Sequence, residues 1–545
     1  MSSGEGEVAE RGASDVIVGE TREKGGFARV ALWPFMSLSA LLAILFLTFL
    51  DNTVVSAVLT NVQSELHAGV SQLQWVVGAY ALTFASLMLM AGSLGDNFGR
   101  KRVILAGVVV FCAGSVVCAL STSASELVVG RVIMGVGAAG SEPGTLSMIR
   151  HVYPRRRARA RALGAWAAVS GLALAMGPVL GGALVGLWSW RSIFWFNLVF
   201  GALAFVVALI ALPESVNPVR RRVDGVGFVL GAVALGTATF ATIAGESAGY
   251  AATGIVTLYI VSVVAGGVFV VHERRATSPM LNLRFFRRRP FVGSTIVAYT
   301  SYFSIFSIFF FVALYLEVVA SVSAYGLAED FLPLLGGMVV ASLFAGRWVG
   351  RVGSRVPLMV GCIVAAVGVF LTDVVISPHV GLSSLGWTMG IAGVGFGITA
   401  VPVNSTALTA LPGEDSGMAA STTNTARELG AVTGVAILGS VVNGQLTVNL
   451  MARLAAIGIP VSYRSEIITA ITTGTINARL AGLGTVTSAA VQAIINKVVG
   501  AAYGAFTNGL HLALESSAAL LLLSALVAYA TGTRERTSPD VDDGD

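Results

Sequence analysis

The chain has 545 residues, of which 55% are apolar and only 12% are Asp, Glu, Lys or Arg, with a mean hydropathy of +0.81. Soluble domains carry about 25% charged residues, so this composition excludes a soluble multidomain protein and points to an all-α polytopic membrane protein. The formal charge of +5 does not mark a nucleic-acid binder, because the bases fall in short loops between apolar segments.

Residues 1–32 lack the apolar core and cleavage site of a signal peptide and read as a disordered tail. A spanning helix needs about 20 apolar residues. Six such spans fall near 35–58, 73–94, 103–122, 127–149, 162–186 and 192–213. Two more lie near 225–244 and 253–271, and six follow near 291–318, 328–350, 356–377, 384–410, 417–441 and 508–530, about fourteen in all. Basic loops such as GRKR (99–102), RHVYPRRRARAR (150–161) and RWVGRVGSR (347–355) alternate with loops almost free of Lys and Arg. By the positive-inside rule the basic loops and both termini are cytoplasmic.

Three glycine patterns recur in the same order at a nearly constant offset of about 255 residues, the mark of a repeat. AGSLGDNFGRKR from Ala91 pairs with AGRWVGRVGSRV from Ala345, GVG at Gly135 with GVG at Gly393, and GPVLGGALVG from Gly177 with GAVTGVAILG from Gly430. The expected division is a cytoplasmic tail over 1–32, a six-helix half over 33–213 and two inserted helices with basic linkers over 214–290. A second six-helix half over 291–530 and a tail over 531–545 complete it. Parallel halves related by an axis along the membrane normal are a transporter plan, with the substrate path between them. The stretch 442–507 is too long for a connector; LTVNLMARLAAI and AVQAIINKVVGAA have helical apolar spacing and predict an external amphipathic hairpin or a structural cap.

Charges inside apolar runs are costly and mark candidate sites. LFLTFLDNTVVSAVL, from Leu45 to Leu59, carries Asp51 near its middle. Residues 31–50 alone are long enough to span, so on apolarity Asp51 either meets external water or lies within the membrane. Arg131 in span four is its natural partner. Glu142 lies three helical turns further on, roughly 16 Å along nearly the same face. It is a second candidate, as proton carrier or as counter-charge to a cationic substrate, against the alternative of a carboxylate satisfied by Ser141, Thr145 or a basic loop. Adjacent Arg427 and Glu428 cannot share a helix face and read as structural ion-pair residues. Glu317, Asp373 and Glu515 fall near outer span ends, where hydration suffices. Tyr80, Trp166 and Glu142 are candidates for lining a substrate cavity, with helix packing as the alternative for the two aromatics.

Two further motifs concern the helices' approach. In GSLGDNFGRKR, Gly92 allows close helix contact, and Asp96 lies within reach of Arg100, Lys101 and a neighbouring helix N-terminus, with Gly99 in the turn. Such contacts, made in one conformation and broken in another, suit a cytoplasmic gate; a plain positive-inside turn is the alternative. In the repeat copy Gly350 replaces the acid and Ser354 replaces Arg100. In Gly177-Pro178-Val-Leu-Gly181-Gly182 the proline kinks the helix and the glycines permit tight contact.

GSLGDNFGRKR resembles the loop signature of the major facilitator superfamily almost position by position. Arg131-Val-Ile-Met-Gly135-Val-Gly137 is similar to its fourth-span motif, with Met134 in place of the usual glutamine, and Gly177 to Gly182 to the fifth-span signature of its antiporters. LDNTVV and ASTTNTARELG resemble the fourteen-span drug:proton antiporter branch, which places the span-one acid inside the helix. The resemblance implies a major-facilitator-type fold, two six-helix halves plus two inserted helices. It further implies a bacterial multidrug efflux transporter in the cytoplasmic membrane that exchanges protons inward for lipophilic compounds, cationic ones included, outward. Asp51, Arg131 and Glu142 would then couple protons. No enzymatic activity, cofactor or metal site is expected. The chain lacks a Gly-x-x-x-x-Gly-Lys-Ser/Thr phosphate loop, so an ion gradient rather than ATP would drive it. The alternatives are export of an endogenous lipid or metabolite, or a non-transporting receptor or scaffold with this fold.

Overall fold

The computed structural model describes residues 20–55, 58–66, 70–215, 224–276, 281–318, 324–376, 382–412, 415–457 and 489–532, with a few isolated positions between them. The described elements are helical: α1 Glu20–Val54, a short α2 Leu59–Leu66, α3 Val70–Phe98, α4 Arg100–Leu120, α5 Ala124–Val152, α6 Arg156–Leu187 and α7 Arg191–Ala211. The pair α8 Gly225–Ala248 and α9 Thr253–Arg275 follows. Then come α10 Arg289–Val318, α11 Ala324–Val352, α12 Arg355–Val375, α13 Leu382–Ala410, α14 Ser416–Ala456 and α15 Ala489–Thr531.

Long helices therefore stand at all the expected spans, but apolarity alone does not secure a count of fourteen. Twelve are long and apolar enough to cross a membrane, and α6 adds a thirteenth as two segments bent by 45° between Leu174 and Val179. α5 falls short because it carries Arg131, Ser141, Glu142, Thr145 and Ser147, all buried against other helices while Val129, Val132 and Val136 are exposed. A helix that keeps its polar residues off the lipid can be poor in average hydropathy and still span.

Two expectations need correction. α1 begins at Glu20, so the helix runs into the segment expected to be a disordered tail, while residues 1–19 lie outside the described residues. Extending a formed helix costs far less than starting one, and the apolar span supplies the start. Nor do the two stretches within 442–507 form a separate hairpin. α14 continues unbroken for 41 residues and α15 for 43, each roughly 60 Å at 1.5 Å per residue, about twice the hydrocarbon thickness. Leu446, Leu450 and Leu454 of α14 pack on Val498, Ala501 and Ala505 of α15. This described contact is that of a structural cap, the alternative to the membrane hairpin, while Val448 and Met451 stay exposed; residues 465–488 lie outside the described residues.

The repeat is visible in how the helices pair. In the first half α3 and α4 pack on α5, α1 on α6 and α7, and α4 on α7. The second half repeats this with α11 and α12 on α13, α10 on α14 and α15, and α12 on α15. The halves meet along α3–α14 and α6–α11, while α8 and α9 pack together with α8 against α3 and α14.

The repeated glycines explain themselves here. A Cβ on Gly135 would lie 2.8 Å from the Tyr80 carbonyl oxygen of α3, and one on Gly393 1.9 Å from that of Leu334 on α11. Gly177 faces Thr53 and Val54 of α1, as Gly430 faces Tyr299 of α10. Gly99 and Gly353 close the equivalent α3–α4 and α11–α12 turns with φ of 104° and 85°, a conformation that disfavours side chains.

Candidate functional site

Asp51 lies in the last turn of α1 and is fully buried there rather than exposed to water. Its Oδ2 accepts from Arg131 Nη1 of α5 in a buried ion pair, and its Oδ1 accepts a 2.8 Å bond from Asn197 Nδ2 of α7. Arg131 also donates through Nε to the Val76 carbonyl of α3 at 2.9 Å, and its guanidinium lies 4.4 Å from the Tyr80 ring centroid. Tyr80 in turn donates to the Thr48 carbonyl at 3.2 Å. Four helices of one half thus enclose a single positive and a single negative charge. A buried pair of this kind is costly to desolvate, and removing one partner strands the other.

Glu142 does not join that pair. It faces the other half, where both carboxylate oxygens accept from Asn424 Nδ2 of α14 at 3.0 and 2.9 Å. Asn424 Oδ1 accepts from Arg427 Nη1 at 2.7 Å, which gives a continuous line from Glu142 through an amide to a guanidinium. Arg427 also donates to Asn404 Oδ1 of α13, and its guanidinium lies 5.2 Å from the ring of Trp166 and 5.4 Å from that of Tyr302. The structural ion pair expected of Arg427 is not formed among the described residues; two amides and two aromatic faces hold it instead. Glu428 is buried beside it.

Trp166 donates from Nε1 to Thr145 Oγ1 at 3.0 Å, and Thr145 donates to the Glu142 carbonyl at 2.7 Å. A small cavity lies between α10, α11, α13 and α14, lined by Ser301, Tyr302, Met338, Phe396, Thr399 and Arg427 among others. Its lining includes none of Tyr80, Trp166 and Glu142, the residues expected to form a substrate cavity. Tyr80 belongs to the Arg131 cluster, whereas Trp166 and Glu142 reach only the cavity's Arg427, the first by its ring and the second through Asn424.

At the end bearing the basic loops, Asp96 binds Arg100 Nη2 at 2.8 Å and accepts the Met418 N–H at 3.3 Å in the first turn of α14. A carboxylate at a helix N-terminus meets unpaired N–H groups and the positive end of the dipole. The helices come close enough because a Cβ on Gly92 would lie 2.4 Å from the Gly417 carbonyl, and one on Gly417 about as near Asp96. Arg150 of α5 donates to the Leu408 and Leu411 carbonyls at the end of α13, and Arg288 to that of Ala410 at 2.7 Å. Opposite helix ends thus receive opposite charges. Lys101 takes no part in this contact; it donates to the Leu209 carbonyl at 2.7 Å.

Gly177 and Pro178 fall in the break of α6, where the missing proline N–H relieves the helix of one bond. Gly177 makes the tight contact with α1 and Gly181 is buried, but Gly182 is exposed and a Cβ there would meet open space. The close packing expected of Gly182 is therefore not made. Nor is Asp373 merely hydrated: it is buried in α12 and bonds His511 Nδ1 of α15 at 2.7 Å. Glu515 is exposed, and the Glu317 side chain lies outside the described residues.

Asn197, Asn404, Asn424 and Arg150 escaped the sequence reading. Asn197 is an isolated amide in an apolar run, the same signal that exposed Asp51, whereas Asn404 and Asn424 lie among Ser and Thr residues that mask them. Arg150 was hidden among the topology-setting bases of its loop.

Residues 41–435 match the family model described as Major Facilitator Superfamily. The chain is similar to the multidrug resistance protein Stp of Mycobacterium tuberculosis, 32% identical over 410 residues that cover 75% of this chain and 76% of Stp. It is 34% identical to the methylenomycin A resistance protein of Bacillus subtilis over 72% of this chain and 84% of that one. The drug efflux pump JefA of Mycobacterium tuberculosis is 31% identical over 88% of this chain and 94% of the relative. The fold matches that of the proton:xylose symporter XylE with a TM-score of 0.58 at 12% identity, covering 92% and 96% of the two chains. Paired six-helix halves, an acid–arginine pair within one of them and family similarity over most of the length converge: this multi-pass membrane protein belongs to the major facilitator superfamily.

Proposed function

We propose that the protein is a proton-coupled exporter of lipophilic small molecules, a drug:proton antiporter of the cytoplasmic membrane with both termini on the cytoplasmic side. The observation that carries this reading is the fully buried Asp51, held by Arg131 and Asn197 inside a transporter fold. A stability-driven core has no use for a charge pair that apolar side chains could replace at no loss. A carboxylate whose ionised form depends on one arginine and one amide changes protonation when those partners move. The resistance and efflux roles named for its relatives support an outward direction of transport.

In this mechanism the halves, residues 33–213 and 291–530, rock about the α3–α14 and α6–α11 seams. Proton binding at Asp51 weakens its hold on Arg131 and biases the first half toward one state; a ligand shifts the balance only by binding one state better. Glu142, through Asn424 and Arg427, relays ligand occupancy between the halves. Asp96 with Arg100, Gly92 and Gly99 forms the cytoplasmic gate, aided by Arg150. The α6 bend at Gly177 and Pro178 keeps that helix seated on α1 and limits leakage.

The test uses purified protein in liposomes with an imposed pH gradient, following proton movement on addition of lipophilic compounds. Compound-evoked proton flux that disappears in Asp51→Asn is the expected result. Equal flux in both proteins would move the coupling site elsewhere, and transport indifferent to the gradient would overturn proton antiport.

A further inference from the structure

The two buried arginines differ in what satisfies them. Arg131 has a carboxylate; Arg427, among the described residues, has none. Arg427 uses two of its five N–H donors on Asn424 Oδ1 and Asn404 Oδ1 and lines the cavity between α10, α11, α13 and α14. Because Arg427 can only donate, the oxygen of Asn404 must point at it, which leaves Asn404 Nδ2 buried outside the cavity lining. That nitrogen and the Ser301 hydroxyl on the cavity wall are both buried, and neither has a hydrogen-bond partner among the described residues. The lining contains no carboxylate; beyond Arg427 and Ser301 it holds Tyr302, Thr399, whose hydroxyl donates to the Gly395 carbonyl, and apolar Ile305, Met338, Phe396 and Val403. Glu142, the acid nearest in the network, is committed through both oxygens to Asn424.

The cavity lining therefore offers a guanidinium and the Ser301 hydroxyl, unpartnered among the described residues, and no carboxylate. We infer that Arg427 anchors a hydrogen-bond-accepting oxygen of the ligand, and that the cavity takes apolar molecules bearing a carbonyl or carboxylate in preference to lipophilic cations. This inference rests on the exporter reading for its biological meaning, although its geometry does not. It also departs from the expectation that Glu142 is the counter-charge of a cationic substrate. A cation placed here would face a guanidinium across a low-dielectric wall, whereas a carboxylate would receive a charge-assisted, forked hydrogen bond.

The test is equilibrium binding to the full chain in lipid nanodiscs, without a pH gradient, using three naphthalene probes. Naphthalene-2-carboxylate and naphthalene-2-carboxamide carry the acceptor; the matched naphthyl-trimethylammonium ion does not. Both acceptor probes should bind, the cation about tenfold or more weakly, and Arg427→Gln should weaken the carboxylate by about tenfold or more. Should Arg427→Gln fail to fold, Met338→Trp, which fills the cavity, and Ser301→Ala should each weaken the acceptor probes. Tighter binding of the cation, binding by none of the three, or carboxylate affinity unchanged in folded Arg427→Gln or Met338→Trp would overturn the inference. Loss of proton coupling in liposomes with this binding pattern intact would sink the exporter reading alone.

Discussion

The interior of the first half and the seam between the halves solve the same problem in opposite ways. Arg131 is closed in: a carboxylate, a backbone carbonyl and a tyrosine ring surround it, all from helices of one half. Arg427 is left partly open, held by amides from α13 and α14, flanked by rings from α6 and α10, and bordering a cavity. The first arrangement suits a group that exchanges a proton and nothing larger. The second suits a group that exchanges a molecule. Asn424 joins the second site to Glu142, so the carboxylate at the seam can sense the cavity without lining it.

The largest expected effect that separates the two sites is on stability. Arg131→Met strands Asp51 in the core and should cost about 3–5 kcal/mol, read as a loss of thermal stability that Asp51→Asn partly restores in the double variant. Arg427→Gln breaks no direct ion pair but leaves a buried amide oxygen without its donor, and should cost about 1–3 kcal/mol. Equal losses would erase the distinction. Next comes the seam: Gly92→Leu drives a side chain into Ser421 and the Gly417 carbonyl. It should open the basic-loop end, raising maleimide labelling of a cysteine placed at Thr422 by about tenfold, the factor a 1.4 kcal/mol shift produces. Asn424→Ala should lower ligand-evoked proton flux by about tenfold while naphthalene-2-carboxylate still binds, since one charge-assisted link is lost.

The smallest effect lies outside the membrane. Glu65 of α2 pairs with Arg191 and accepts from Trp190 Nε1 at 2.6 Å, and the Arg191 hydrogen bond holds its carboxyl below the usual carboxylate range. A depressed folded pKa stabilises above the unfolded value of 4.5 and loses that contribution as pH falls through the folded value. Because the pair is half-exposed, Glu65→Gln should change stability by no more than about 0.5 kcal/mol at pH 7, with the difference vanishing on strong acidification.

Much of this was legible in the sequence because the membrane restricts what a helix can carry. Asp51 and Arg131 stood out as charges in apolar runs, and the recurring Gly135, Gly393, Gly177 and Gly430 marked places where two helices touch. Other features were hidden for physical reasons. Gly182 looks like its neighbours but falls on the open side of a bent helix, and a bend's direction is not written in local spacing. The amphipathic faces near 446–457 and 490–502 looked ready for a membrane surface, yet periodicity reveals an apolar face without naming what covers it. The amides Asn404 and Asn424 matter through partners on other helices, more than 20 and 280 positions away in sequence in the case of Arg427 and Glu142.

The most direct test of the division between a proton site and a ligand site measures proton flux and naphthalene-2-carboxylate binding side by side in Asp51→Asn and Arg427→Gln. Separate sites predict that Asp51→Asn binds the ligand but moves no protons in response, whereas Arg427→Gln binds it about tenfold or more weakly. Loss of binding in Asp51→Asn together with retained binding in Arg427→Gln would contradict it.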